Sequence, residues 1–316
     1  MSISNNLGNG DKIIPSLRIS NDRTIAKDVL DSAGTLRQLI GEIEYHDLLK
    51  EGAFVYGSTE VEENTAVNNV TVVNNYLMIV QGFINELWLV KDNSVDTERG
   101  FAWFIDKNSS LPQVHASSNF RKIAFSRADG KTSTTNFTRE EIRSVRHLGR
   151  TIFSLDSEGI PLEKWDVLKP HPSKPKSIAD WNRFERVRIA LQQTRSESDL
   201  PLKILGYCIC FETLLSTDAF EIAHKIAERR ACLLGDTTEK RLRIYNTIKQ
   251  AYDVRSRTVH GAVTKKQPQD LISISEACDD LLRKLLTKII EDFDFGSRFR
   301  LENKEFEKWL LELTLS

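Results

Sequence analysis

The chain has 316 residues, 40% of them hydrophobic and 28% charged, with 44 Lys and Arg against 45 Asp and Glu. At roughly 100 to 200 residues per domain, that length predicts two packed domains, and the composition excludes a disordered chain, a collagen and a disulfide-stapled miniprotein. A net charge of −1 excludes a globally basic nucleic-acid binder, so any phosphate-binding surface has to be local.

The first ten residues carry neither a basic nor an apolar signal region, and no stretch approaches the ~18 apolar residues of a membrane span. A soluble, cytoplasmic protein without a membrane partner is the expectation. Cys208, Cys210, Cys232 and Cys278 form no C-x-x-C pair and read as reduced thiols, mostly buried, rather than a zinc site.

In chain order, residues 1–20 are polar and Gly/Asn-rich, with at most a short strand near Ile13 to Leu17. Apolar positions from Ile25 to Ile43 recur at helical spacing and predict one helix over 23–47, kinked near Gly34. Ala53 to Tyr56 reads as β, as does Val67 to Val73 less firmly, before a strong amphipathic helix over Tyr76 to Lys91. Strands are predicted at Gly100 to Ile105, Val114 to Ser126 and Thr132 to Phe137, the last two joined by the Ala128-Asp-Gly130 turn. Thr138 followed by Glu141 is the pattern of a capping box that opens a helix to about Gly149.

The fold class predicted is α+β: a mixed α/β domain over 1–155, a linker over 156–177, and an all-α bundle over 178–316. The linker holds Pro161, Pro170, Pro172 and Pro175, half of the chain's eight prolines. The bundle helices fall near 178–196, 201–216, 218–234, 237–260, 270–292 and 302–314, with breaks at Asp199-Leu200-Pro201, Gly235-Asp236, Gly261 and Gly296. No G-x-G-x-x-G or Walker motif occurs, which disfavours a nucleotide-driven motor.

The informative segment is Tyr252-Asp-Val-Arg255-Ser256-Arg257-Thr-Val-His260-Gly261. An Arg and a His with four residues between them occur by chance in roughly 0.4 of chains of this composition, so the spacing alone is weak. Its context is a long preceding helix, a polar residue after the Arg, a closing Gly after the His, and an earlier helix, Leu205-Gly-Tyr-Cys-Ile-Cys-Phe-Glu212, with an acid among apolar residues. In these features residues 178–292 resemble the HEPN superfamily, helical domains of prokaryotes and eukaryotes, and in particular its ApeA-like branch.

The resemblance implies a metal-independent endoribonuclease of antiviral defence, abortive infection or a toxin system, with no cofactor, acting on RNA as a homodimer with a composite site. A neutralising or activating partner is part of the same expectation. Carried over by position, Arg255 and His260 are the catalytic pair, and Ser256 is the polar follower. The amino-terminal domain resembles the region that accompanies some ApeA-like proteins, and a sensor or regulatory role is expected for it.

Residue chemistry is compatible with that reading. On a straight helix Arg255 and His260 lie about 140° apart, so either the helix end distorts or two chains share the site. Ser256 and Arg257 lie beside His260 at i−4 and i−3 and are auxiliary candidates for RNA binding. Imidazole titrates near neutrality, and a helix carboxyl end favours a cation, which suits general acid–base work. Residues 237–266 hold eight basic and two acidic side chains, a candidate phosphate footprint. Glu212 reads as a structural partner for Arg229, Arg230 or Arg255, since a lone charge in an apolar helix is costly. The alternative is a HEPN module that binds RNA, a nucleotide or a partner without cleaving; a DNA-binding protein is weaker because no recognition helix stands out.

Overall fold

The computed structural model describes residues 1–3, 8–31, 34, 36–50, 52–58, 68–105, 114–120, 123–145, 148, 168–169, 181–217 and 222–315. The proline-rich linker lies outside these apart from 168–169. The protein is of mixed α and β structure with a helical carboxy-terminal region.

The amino-terminal half holds β1 (Ser2–Ile3), β2 (Asp11–Ile14), β3 (Leu17–Ser20), α1 (Arg23–Asp31), α2 (Leu36–Ile40), α3 (Glu42–Leu48), β4 (Phe54–Tyr56), α4 (Asn69–Val90), β5 (Arg99–Ile105), β6 (Val114–Phe120), β7 (Asn136–Phe137) and a helix α5 over 139–145. Strands β2, β3 and β4 form an antiparallel sheet, β5 pairs antiparallel with β6, and β1 pairs parallel with β7. The capping box is present: Thr138 N–H donates to Glu141 Oε2 at 2.8 Å and Glu141 N–H to Thr138 Oγ1 at 3.2 Å.

Several expectations for this half are corrected. The single helix over 23–47 is three helices, because Gly34 (φ 63°) and Gly41 (φ 91°) turn the backbone left-handed. The β reading of 67–73 fails: Asn68 accepts from Thr71 N–H at 3.1 Å and starts α4 there, since an N-cap bond outweighs the weak β preference of a Val run. The expected strand at 132–137 shrinks to β7, and 123–126, expected to continue β6, lie outside any strand. The Asp129-Gly130 turn itself forms, with Gly130 at φ 79°.

The carboxy-terminal half is α6 (Arg183–Ser196), α7 (Leu200–Leu215), α8 (Ile222–Leu234), α9 (Thr238–Val259), α10 (Pro268–Glu291), α11 (Phe293–Arg298) and α12 (Asn303–Leu315). Polar caps set the starts. Asn182 and Glu185 form a reciprocal box, Asp199 accepts from Leu202 N–H at 3.1 Å, and Thr237 caps α9. The break expected at Gly296 lies instead at Asp292, which ends α10 and caps α11; α11 is a helix the periodicity did not resolve. Helices α6 and α7, and α8 and α9, pack as pairs, and α7 packs on α9 and α10. Cys208, Cys210 and Cys278 are free and buried in this core, with Cys232 half-buried.

Trp88 and Leu89 of α4 belong to the core of the helical half, so α4 joins the two halves. Buried polar groups reinforce that seam. Asp279 accepts from Trp88 Nε1 at 2.7 Å and Tyr207 Oη at 2.8 Å, and pairs with Arg283. Lys203, fully buried, donates to Ser126 Oγ, Thr194 O and Glu197 O at 2.9–3.0 Å. Burial lowers its ammonium to about 8.

Candidate functional site

The motif occupies the last two turns of α9. Its buried stripe runs Ile244, Ile248 and Ala251, and Arg255 continues it at the next helical repeat. Arg255 therefore points at α7, where Glu212 continues the buried line of Cys208. The guanidinium meets the Glu212 carboxylate at 3.5 Å, with the two side chains 33% and 20% exposed. Of the three partners considered for Glu212, the structure selects Arg255. Arg229 pairs with Glu307 at 2.5 Å, and Arg230 is fully buried with its guanidinium 3.5 Å from the centre of the Phe211 ring.

Tyr252 lies on the inward side beside Glu212, in the core rather than on an RNA-facing surface. Burial, then the neighbouring Cys208 and Glu212, raises its phenol well above the ordinary range, so it stays a neutral hydroxyl. Burial likewise lowers Arg230 to about 9. Glu212 Oε1, Tyr252 Oη and Arg255 Nε are each buried without a hydrogen-bond partner among the described residues. The floor of the site is thus polar and incompletely bonded.

His260 is placed by the way α9 ends. Gly261 is left-handed at φ 67°, its N–H donates to Thr258 O at 3.2 Å, and Ala262 N–H donates to Arg257 O at 2.8 Å. This pair of bonds is a Schellman closure, which glycine favours because it has no Cβ to clash. It makes His260 the C-cap, exposed to solvent, with no hydrogen bond or ion pair to its imidazole among the described residues. The helix end is not distorted: α9 is regular to Val259, so the wide angular separation of Arg255 and His260 persists. Neither residue lines the two clefts that lie along α4, α6 and α10.

Ser256 is exposed on the side of His260, as its spacing requires. Arg257 is engaged with Asp253 at 3.3 Å. The basic footprint is smaller than the residue count suggests, because Lys240 pairs with Asp236 at 2.8 Å, Arg243 with Glu239 at 3.2 Å, and Arg255 with Glu212. Lys249 and Lys265 are exposed and form no ion pair among the described residues. Among the described residues no cluster of three His, Cys, Asp or Glu is arranged to hold a metal, and no helix is long and apolar enough to cross a membrane.

The acidic partner on α7 was visible in the sequence as a charge out of place, but its identity as the Arg255 anchor needed the packing of α7 on α9. No family model, curated protein or solved structure matches the chain.

Proposed function

We propose that the protein is a HEPN-type endoribonuclease that cleaves RNA without a metal, in antiviral defence or as a toxin. The observation that carries this reading is the pairing, on one helix, of an arginine anchored by a buried carboxylate and a histidine held free at the tip by a Schellman closure. The sequence resemblance supplies the reaction class.

In that reaction the ribose 2′-OH attacks the adjacent phosphorus and the bond to the 5′-oxygen breaks, leaving a 2′,3′-cyclic phosphate and a 5′-OH. His260 takes the 2′ proton or returns one to the leaving oxygen, and Arg255 offsets the charge that builds on the phosphorane. General acid–base transfer of this kind contributes roughly 10²- to 10⁴-fold. Because Arg255 faces α7 while His260 faces solvent, two copies meeting at their α9 tips would assemble the working pair from both chains. Lys249 and Lys265 would then hold the RNA backbone, an attraction that weakens with salt.

Purified wild type, Arg255→Ala and His260→Ala should be incubated with RNA in EDTA and the cut ends analysed. Cyclic ends from wild type alone support the assignment. A folded His260→Ala that cuts as well as wild type removes it. The observation that Arg255 is already committed to Glu212 favours a second reading, a non-cleaving HEPN module that binds RNA or a partner; under it, RNA is retained but uncut by all three proteins.

A further inference from the structure

A second place in the molecule has the features of a ligand site, independent of the ribonuclease reading. Between α4, α6 and α10 lies a cleft of about 290 Å³, near the lower end of the roughly 300–1,000 Å³ typical of small-molecule sites. Glu86 enters it from α4 and Arg188, Gln192 and Arg195 from α6, with the rings of Trp181 and Phe184 in its wall.

Two of these polar groups lack partners. The Glu86 carboxyl has no hydrogen bond among the described residues, and its charged neighbour is Arg188. Arg195 is only 2% exposed; its Nη2 donates to Asn93 O and Oδ1 at 3.2 Å, yet its Nε–H has no acceptor among the described residues. Buried donors are nearly always satisfied, so an orphan in a cleft wall points to an occupant.

The chemistry of the lining narrows that occupant. With Glu86 mainly in its acid form, Glu185 is outnumbered by Arg188 and Arg195, which disfavours a cationic occupant. Flat aromatic walls favour a flat body. Burial pushes the Glu86 carboxyl up to about 8 against the opposing pull of Arg188, so at neutral pH it is mainly the acid, with a donor and an acceptor side by side.

We propose that this cleft binds a neutral planar nitrogen heterocycle of the nucleobase class, read along one edge by Glu86, with Arg195 Nε–H and the Gln192 amide completing its hydrogen bonds. The matching edge is a ring nitrogen acceptor beside an exocyclic amino donor, which adenine and cytosine both present. Since α4 belongs to the amino-terminal half and α6 and α10 to the helical half, the occupant touches both and tightens their docking.

The test is calorimetric titration of the full chain with adenosine, cytidine and, as control, ribose. It is run on wild type, Glu86→Ala and Trp181→Ala, and repeated in a His260→Ala background so that the result stands whatever the fate of the ribonuclease reading. Expected is saturable binding of at least one nucleoside, none of ribose, and weakening of about tenfold or more in Glu86→Ala. Should Glu86→Ala fail to fold, the same weakening in Trp181→Ala carries the comparison. Absence of nucleoside binding up to about 10 mM, or equal affinity in wild type and the folded variants, overturns the proposal.

Discussion

The tip of α9 and the seam beneath α4 use charged groups in opposite ways. At the seam, Asp279 is 2% exposed and its carboxylate is taken up by an indole, a phenol and a guanidinium, while the Lys203 ammonium is surrounded by backbone and hydroxyl oxygens. At the tip, His260 is exposed with no polar partner for its imidazole among the described residues, and Arg255 has a carboxylate at 3.5 Å. Groups whose hydrogen-bonding capacity is filled inside the fold stabilise it and have little left for a ligand. Groups held in place with capacity to spare are the ones available for chemistry.

The contrast is broken most sharply by substitution at the tip. Losing the imidazole in His260→Ala is expected to lower cleavage by roughly 10²- to 10⁴-fold while leaving the unfolding midpoint nearly unchanged, since the residue is exposed. Arg255→Ala should lower cleavage comparably, and it should also cost stability by leaving Glu212 half-buried without its partner. Parallel cleavage and urea-denaturation curves separate the two effects. A His260→Ala protein that unfolds as easily as a core variant would show that the tip is structural after all.

At the seam the expectation reverses. Asp279→Ala leaves the Trp88 N–H, the Tyr207 hydroxyl and the Arg283 guanidinium without their shared acceptor, a change expected to cost about 3–5 kcal/mol. Asp279→Asn, which keeps an acceptor, should cost less. Urea denaturation of both variants checks the order; equal, small losses would mean that the seam is held by apolar packing of Trp88 and Leu89 instead.

The same two regions differ in how far they were legible from sequence. Helices α6 to α10 were readable because apolar residues recur along them at helical spacing, and Asp199 before Pro201 marked the start of α7; the Asn182 and Glu185 box that starts α6 was not read, and that helix was expected from 178. His260 and Gly261 were readable as a helix end for the same local reason. The inward turn of Arg255 was in principle legible, because it continues the Ile244, Ile248, Ala251 stripe, but the segment was read for its Arg and His spacing and not for that stripe. Asp279 and Lys203 gave no signal at all. Each looks like an ordinary exposed charge on an amphipathic helix, and only the docking of α4 and of the 123–128 segment buries them. The amino-terminal half was harder because its elements are short, and because glycines such as Gly34 and Gly41 decide by backbone angle what periodicity alone runs together.

Glu86 provides a pH-dependent version of the comparison. Its folded-state pKa, about 8, is raised above the ordinary 4.5 by burial, with Arg188 pulling the other way. A carboxyl shifted in this direction leaves stability intact while both states are protonated, and loses it progressively as pH rises until the folded form also ionises. Glu86→Gln stays neutral throughout. Its melting temperature relative to wild type should therefore rise between about pH 5 and pH 8 and level off above that. Parallel melting curves of the two proteins across the range would refute the raised pKa of Glu86.

The smallest expected effect is at Gly261. A Cβ added there meets nothing within 4 Å, so crowding contributes no cost and only the left-handed angle does. Gly261→Ala should then lower stability by about 1–2 kcal/mol, and Gly261→Asn by less, because asparagine tolerates that region. The cleavage readout is more telling than the stability. If the Schellman closure serves to hold His260 at the tip, Gly261→Ala should lose cleavage out of proportion to its loss of stability while Gly261→Asn keeps most of it. If both variants cut in proportion to their folded fraction, the closure merely ends a helix, and His260 finds its working position without it.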